Sequence, residues 1–143
     1  MIKGVDYIGV AVAFYCHDGK GNYLFHKRSN QCRDEHGRWD CGGGGVKFGE
    51  RLLDTVRREI SEEFGVDSIL VEYLGVDEVF RENEGKMTHW MDFKYRVLVD
   101  REKVINNEPH KHDELGWYIL DALPSPLHSQ VLHEITIYKD KLT

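Results

Sequence analysis

Three glutamates crowd one side of a predicted helix. Glu59, Glu62 and Glu63 stand at i, i+3 and i+4, where neighbouring like charges on a helix repel by roughly 0.2 to 0.5 kcal/mol per pair. With 3.6 residues per turn, Glu63 lies about 20° from Val56, at the edge of the apolar stripe. A carboxylate beside apolar surface is costly unless a partner satisfies it. A hard divalent cation would do so, because Mg²⁺ prefers oxygen ligands and binds carboxylates together with substrate phosphates.

The helix that carries these glutamates is predicted over residues Arg51–Phe64. Leu52, Val56 and Ile60 recur every four residues, which makes one apolar stripe that we expect to pack on a sheet. Gly65 then supplies a stop signal, because glycine adopts the left-handed conformation without a steric penalty.

Strand-like segments precede the helix. Residues Asp6–Cys16 are mostly apolar and β-branched or aromatic, and the turn-like HDGKGN separates them from the apolar run YLFHKRS. This pattern predicts a β-hairpin. The following GRWDCGGGGVKFGE holds so much glycine that we predict an irregular loop leading into the helix.

A second hairpin and a second helix are predicted after the first helix. SILVEYLGVDEVF and THWMDFKYRVLVD flank the polar RENEGK, which is typical of two paired strands. A short strand, LGWYIL, precedes a C-terminal helix predicted from the spacing of Val131, Leu132, Ile135 and Tyr138. The order of strands, helix, strands, helix indicates helices packed on a mixed sheet, in one α/β or α+β domain over residues 1–143.

The overall charge limits the class of ligand. A formal net charge of −6 argues against binding of a nucleic acid polymer, which usually requires a basic patch. An anionic small molecule would need metal ions and local basic residues. The densest basic cluster available contains Lys27, Arg28 and Arg33.

The cysteines and the N-terminal segment indicate a cytoplasmic protein. Three cysteines without a CxxC spacing suggest neither a disulfide framework nor a zinc site. The apolar YIGVAVAFYC is too short to span a bilayer and lacks the flanks of a signal peptide. We therefore expect no membrane association.

Residues 44–66, GGVKFGERLLDTVRREISEEFGV, resemble the Nudix box, GX5EX7REUXEEXGU, in which U is a bulky aliphatic residue. All nine fixed positions are filled, by Gly44, Glu50, Arg58, Glu59, Ile60, Glu62, Glu63, Gly65 and Val66. The resemblance implies an α/β/α sandwich with a mixed β-sheet between helices. It also implies Mg²⁺- or Mn²⁺-dependent hydrolysis of a nucleoside diphosphate linked to another group.

The same resemblance assigns roles to residues of the box. It implies metal contacts for the three helix glutamates, Glu59, Glu62 and Glu63. Gly44 would shape the loop, while Glu50 and Arg58 would support catalysis. Water attacking a pyrophosphate linkage must lose a proton, and metal-held carboxylates can accept it. The sequence does not choose between Glu62 and Glu63 as the base.

A further candidate base lies outside the box. In many relatives an acidic residue in the loop before the last strand joins the metal site, and here the corresponding position, seven before Trp117, is His110. Glu108 and Glu114 are nearby substitutes. His112 is another candidate, because the unperturbed pKa of histidine lies near 6.5.

Substrate contacts are predicted at six positions: Lys27, Arg28, His89, Trp90, His110 and Glu114. His89 and Trp90 lie on a predicted strand near the expected cleft, where an aromatic ring can stack on a nucleobase. Burial in the core is the alternative for Trp90 and Trp117, and a solvated surface is the alternative for the basic cluster.

The favoured function is metal-dependent hydrolysis of a nucleoside triphosphate, or a related nucleoside diphosphate derivative, to a nucleoside monophosphate. The alternatives are an ADP-ribose or nucleotide-sugar pyrophosphatase and a nucleotide-sensing domain that binds without cleaving. The resemblance also implies a small-molecule nucleotide as partner and a possible homodimer.

Overall fold

Seven β-strands and two α-helices form the fold in the computed structural model, which describes residues 1–143. In chain order the elements are β1 (Gly9–His17), β2 (Asn22–Arg28), β3 (Trp39–Asp40), β4 (Gly42–Gly45), α1 (Leu52–Phe64), β5 (Leu70–Asn83), β6 (Lys86–Leu98), β7 (His112–Ile119) and α2 (Ser129–Leu142). The mixed sheet and its two helices confirm the predicted fold class. Neither helix is long and apolar enough to cross a membrane.

Helix α1 forms as its apolar spacing predicts. Val56, Ile60 and Phe64 are at most 1% exposed, and the helix ends at Gly65, whose φ of 61° is left-handed. The Gly65 N–H donates to the Ser61 carbonyl, which closes the last turn.

The predicted hairpin after α1 is also confirmed. Strands β5 and β6 pair antiparallel from Leu70↔Leu98 to Asn83↔Lys86. The connecting residues Glu84 and Gly85 both have positive φ, as a tight two-residue turn requires. On its other edge β6 runs parallel to β1.

The predicted N-terminal hairpin is confirmed, but its pairing is short. Strands β1 and β2 pair antiparallel at His17↔Tyr23, and the rest of each strand pairs elsewhere. Strand β1 pairs with β4 and β6, while β2 pairs with β3 and β7. These partners are distant in sequence, so a local turn signal cannot reveal them.

The glycine run is a strand, not the predicted irregular loop. Gly42–Gly45 pairs antiparallel with Ala11–Phe14, in the position beside β1 that β2 leaves. A Cβ atom on Gly42 would collide with the Phe14 ring, and one on Gly43 would lie 2.6 Å from the Val12 carbonyl oxygen. Glycine therefore occurs here because two backbones and a ring approach closely.

Two apolar clusters lie on opposite faces of the sheet. Alternate residues of β1 divide between them: Val12 and Phe14 pack with α1, and Ala13 and Tyr15 pack with α2. Helix α2 confirms the helix predicted from the spacing of Val131, Leu132, Ile135 and Tyr138. Leu132 is 59% exposed, while the buried face of the helix includes Glu134 and continues to Leu142.

Candidate active site

A cavity of about 590 Å³ follows β4 and is lined from both faces of the sheet. Glu59 and Glu63 reach it from α1, and Glu134 reaches it from α2. Its volume falls within the range of about 300 to 1,000 Å³ that is usual for small-molecule sites. The glycines of β4 line it as well.

Glu63 is the most buried carboxylate at the α1 end. It is 5% exposed, which confirms its predicted position at the edge of the apolar stripe. Its Oε2 accepts a hydrogen bond from the Gly43 N–H at 3.3 Å, and its Oε1 lies 3.7 Å from His112 Nε2. Burial raises the pKa of Glu63 well above its usual value, and the charges of Glu59 and Glu108 raise it further.

The other two helix glutamates occupy different environments. Burial raises the pKa of Glu59, whose carboxylate lies against Gly44 so closely that a Cβ atom there would collide with it. Glu62 is 49% exposed and lies outside the cavity lining, 3.3 Å from Arg58. The cavity thus brings together Glu59, Glu63 and Glu108, whereas Glu62 does not line it.

These carboxylates fit a divalent cation. Glu63 and Glu59 are poorly solvated, their charges oppose each other, and the neighbouring Glu108 adds a third carboxylate. Such a set is unfavourable without a cation and suits a hard ion with oxygen ligands. Glu59 and Glu63 could hold the metal, with Glu108 and Glu62 within the same acidic region.

Arg58 connects α1 to β4 beneath this cluster. Its guanidinium donates to Glu50 at 2.7 and 2.9 Å, to Glu59 at 2.7 Å and to the Gly45 carbonyl at 3.1 Å. The Arg58 bonds, together with one from Thr55, lower the pKa of Glu50 to about 2. Arg58 and Glu50 therefore fix the position of Glu59 without lining the cavity themselves.

Replacing Arg58 with Ala should lower kcat/KM for hydrolysis about 10- to 100-fold, the usual cost of losing a residue that orients metal ligands. The reason is that Glu59 loses its 2.7 Å donor and its link to β4. Steady-state kinetics of Arg58→Ala and Arg57→Ala provide the comparison. Arg57 is 56% exposed and pairs only with Asp54, so its variant should keep nearly full activity; equal losses in both would contradict the role of Arg58.

Two buried histidines stack beside Glu63. The rings of His26 and His112 lie 3.9 Å apart and pack on Phe64. Burial lowers the pKa of His26 to about 4 and that of His112 to about 3, so both are neutral at pH 7. His112 is consequently a weak base, which disfavours its predicted role in proton transfer.

Acid should destabilise the protein partly through His26. Unfolded histidine titrates near 6.5, whereas His26 titrates at about 4 in the fold, so only the unfolded chain gains this proton as the pH falls below 6.5. The stabilisation that neutral His26 gives the fold is fully present above pH 6.5. Roughly 2 kcal/mol of it is lost by about pH 5. Between about pH 7.5 and 5, we therefore expect the free energy of unfolding of His26→Phe to fall by roughly 2 kcal/mol less than that of the parent.

Chemical denaturation at the two pH values checks this expectation. His133→Phe is the matched control, because His133 is exposed on α2 and its variant should keep the acid sensitivity of the parent. A His26→Phe protein as acid-sensitive as the parent would contradict the expectation.

Of the six predicted substrate contacts, Arg28 and Trp90 line the cavity. Lys27 lies between the cavity residues His26 and Arg28 on β2 and so points to the opposite face. Its partner in the β2–β7 register is Glu114, which also lies outside the cavity.

The two predicted histidine contacts lie elsewhere. His89 stacks on Phe80 at 4.3 Å and lies 3.0 Å from Glu78, both on β5. His110 lies outside the lining, and its carbonyl accepts from Ser29. Among the proposed substitutes for His110, Glu108 is the carboxylate that lines the cavity.

Sequence reasoning missed several cavity residues. They are contributed by separate elements and include Asp40, Arg81, Asp92, Lys111, His128 and Glu134. Arg28 is paired with Asp34 and Asp40, and Arg81 with Asp34 and Glu35. For one of them a signal exists in the sequence: the alternation of side chains along β6 places Asp92, like Lys94, on a face of the strand that is expected to point inward.

The sequence model of the NUDIX domain matches residues 8–138 of the chain. Among curated proteins, the nucleoside triphosphatase NudI of Escherichia coli O139:H28 (strain E24377A / ETEC) is 42% identical over 52 residues, which cover 36% of this chain and 37% of that protein. The chain thus spans just over a third of the length of the curated relatives that it matches.

Solved structures resemble the whole fold. The MutT NUDIX hydrolase from Burkholderia pseudomallei has a TM-score of 0.79 and 29% identity, over 96% of this chain and 99% of that chain. The NUDIX domain of Shewanella oneidensis NrtR, solved with ADP ribose, has a TM-score of 0.75 and 22% identity, over 96% and 90%. The second likeness concerns the fold alone.

Proposed function

Because this chain belongs to the NUDIX family, we propose that it is a metal-dependent hydrolase of a nucleoside triphosphate, or of a related nucleoside diphosphate derivative, with a nucleoside monophosphate as one product. The observation that carries this proposal is the pair of carboxylates formed by the buried Glu63 and the half-buried Glu59, held against β4 at one end of a cavity of about 590 Å³. The similarity to NudI and to the MutT hydrolase supports a nucleotide substrate.

The acidic end would hold the metal through Glu59 and Glu63. A bound Mg²⁺ or Mn²⁺ would supply charge neutralisation for the phosphates and lower the pKa of the attacking water. Attack by water would form one bond to phosphorus while the bridging P–O bond breaks, and the electron pair would leave with the pyrophosphate or other leaving group. Either Glu63 or Glu108, both of which line the cavity, would accept the proton.

Basic residues beside the carboxylates would bind the phosphates. Arg33 and Lys111 line the cavity, and Lys111 is 53% exposed, with a distant 3.8 Å contact to Glu108. In a chain of net charge −6, such local cations oppose the repulsion of an anionic substrate. Arg28 is less available, because two carboxylates already bind it.

Product analysis tests this proposal. The protein is incubated with Mg²⁺ or Mn²⁺ and a panel of nucleoside triphosphates, a nucleotide sugar and ADP-ribose, which is included because a domain of the same fold binds it. Chromatography should reveal a nucleoside monophosphate from at least one compound, and chelation of the metal should abolish it. Tight binding without cleavage of any compound would instead favour a nucleotide-sensing domain. A cytoplasmic location and a homodimer remain predictions.

A further inference from the structure

The α2 end of the cavity contains a chamber that none of the catalytic steps uses. We call it the inner chamber and define it by Ala11, Ala13, Val79, Trp90, Asp92 and Glu134. Its floor is flat, because Ala11 and Ala13 carry only methyl groups and pair with glycines of β4. Trp90 forms one wall. A flat floor beside an aromatic wall suits a planar heterocycle.

Asp92 is the carboxylate of the inner chamber that remains partly accessible. It pairs with Ala11 across the β1–β6 register, and its side chain is 17% exposed. Oδ2 contacts Lys94 Nζ, while Oδ1 is buried and has no hydrogen-bond partner. An ionised carboxylate offers about four acceptor positions and no donor, so Asp92 keeps acceptor positions that the protein leaves unused.

The charges around Asp92 are not balanced. Lys94 is fully buried and its ammonium is shared between Asp92 and Glu134, whose Oε1 lies 2.6 Å away. Two carboxylates therefore face one cation. Burial raises the pKa of Asp92, and it raises that of Glu134 to about 7, as expected for surplus negative charge in a poorly solvated place. A donor group of a ligand would compensate this charge, whereas a carbonyl oxygen would be repelled.

We propose that Asp92 is a specificity-determining residue that accepts a hydrogen bond from an exocyclic amino group of the nucleobase. The inference rests on the proposed function, since it assumes a nucleotide whose phosphates lie at the α1 end of the same cavity. It names the substrate class as nucleotides of amino-bearing bases, in preference to bases that carry a carbonyl or hydrogen at that position.

Matched nucleotides test the proposal. The pairs are CTP with UTP, ATP with ITP, and GTP with ITP, in each of which one amino group is replaced by oxygen or hydrogen. For the pair that contains the preferred base, we expect kcat/KM to favour the amino compound by about tenfold or more. Asp92→Asn should remove most of that preference. Asp77→Asn is the control, because Asp77 pairs with Asp92 in the β5–β6 register but binds Tyr138 and lies outside the cavity.

Direct binding separates this inference from the proposed function. Calorimetry of the parent protein with CMP and UMP, AMP and IMP, and GMP and IMP should show the same preference without any hydrolysis. If no compound is cleaved, the proposed function fails while the binding comparison still tests the predicted preference for an amino group, even if the variant does not fold. A preferred base without an amino group, no binding of any monophosphate, or an unchanged ratio in folded Asp92→Asn would overturn the inference.

Discussion

Glu63→Gln is expected to reduce kcat about 10³-fold, within the range found for loss of a group that acts in proton transfer. The expectation follows from the position of Glu63, which is buried, bonded to the Gly43 N–H and surrounded by the other carboxylates of the cavity. The amide keeps the shape and can still accept from Gly43, but it carries no charge. Single-turnover kinetics with Mg²⁺ measures the loss.

Thermal unfolding of the same variant separates catalysis from folding. Because the fold disfavours ionised Glu63, the neutral amide should leave the metal-free protein at least as stable as the parent. The variant should also lose most of the stabilisation that added Mn²⁺ gives the parent, since the stabilisation by a ligand decreases as its affinity for the folded protein decreases. Glu82→Gln, at an exposed position of β5, should behave as the parent. A Glu63→Gln protein that retains full activity would rule out a role for this carboxylate.

Gly44→Ala should have the second largest effect, with a loss of about 100-fold in activity and a weaker affinity for Mn²⁺. A Cβ atom at this position would overlap the Glu59 carboxylate, so the side chain must leave the place in which Arg58 holds it. Misplacement by about 1 Å near a reacting centre can cost 10²-fold. Kinetics, together with Mn²⁺ titration followed by electron paramagnetic resonance, would measure both losses.

Gly45→Ala is the matched control for the metal titration. The nearest side-chain atom to a Cβ atom on Gly45 is Lys3 Nζ at 3.2 Å, the end of a flexible chain that can move aside. Its Mn²⁺ affinity should therefore match that of the parent. Equal weakening in both variants would mean that the loss reflects general distortion of β4 and not displacement of Glu59.

Local periodicity was sufficient to predict α1 and the environment of its glutamates. The spacing of Val56 and Ile60 gives the buried face, and the angle of Glu63 from Val56 anticipates its 5% exposure. The hairpin of β5 and β6 was similarly accessible, because its turn and its two strands are contiguous. Each of these features depends on residues that lie close together in the sequence, no farther apart than the two strands of one hairpin.

Other features depend on contacts between distant segments and could not be predicted. Strand β4 is composed of glycine because of Phe14, Val12 and Glu59, none of which is adjacent to it in sequence. Asp92 and Lys111 reach the cavity only because β6 pairs with β1 and because β7 pairs with β2. The ordinary pKa of histidine suggests His112 as a base, but the sequence does not reveal that this ring stacks on His26 in a buried position.

The position at which water enters the products tests the central proposal most directly. The best substrate of the panel is hydrolysed in ¹⁸O-labelled water with Mg²⁺, and both products are weighed by mass spectrometry. The account predicts one ¹⁸O atom per turnover in one of the two phosphate-containing products, and no cleavage after the metal is chelated. Cleavage that continues without a divalent cation, or that leaves both products unlabelled, would contradict metal-dependent attack by water at the Glu59 and Glu63 site.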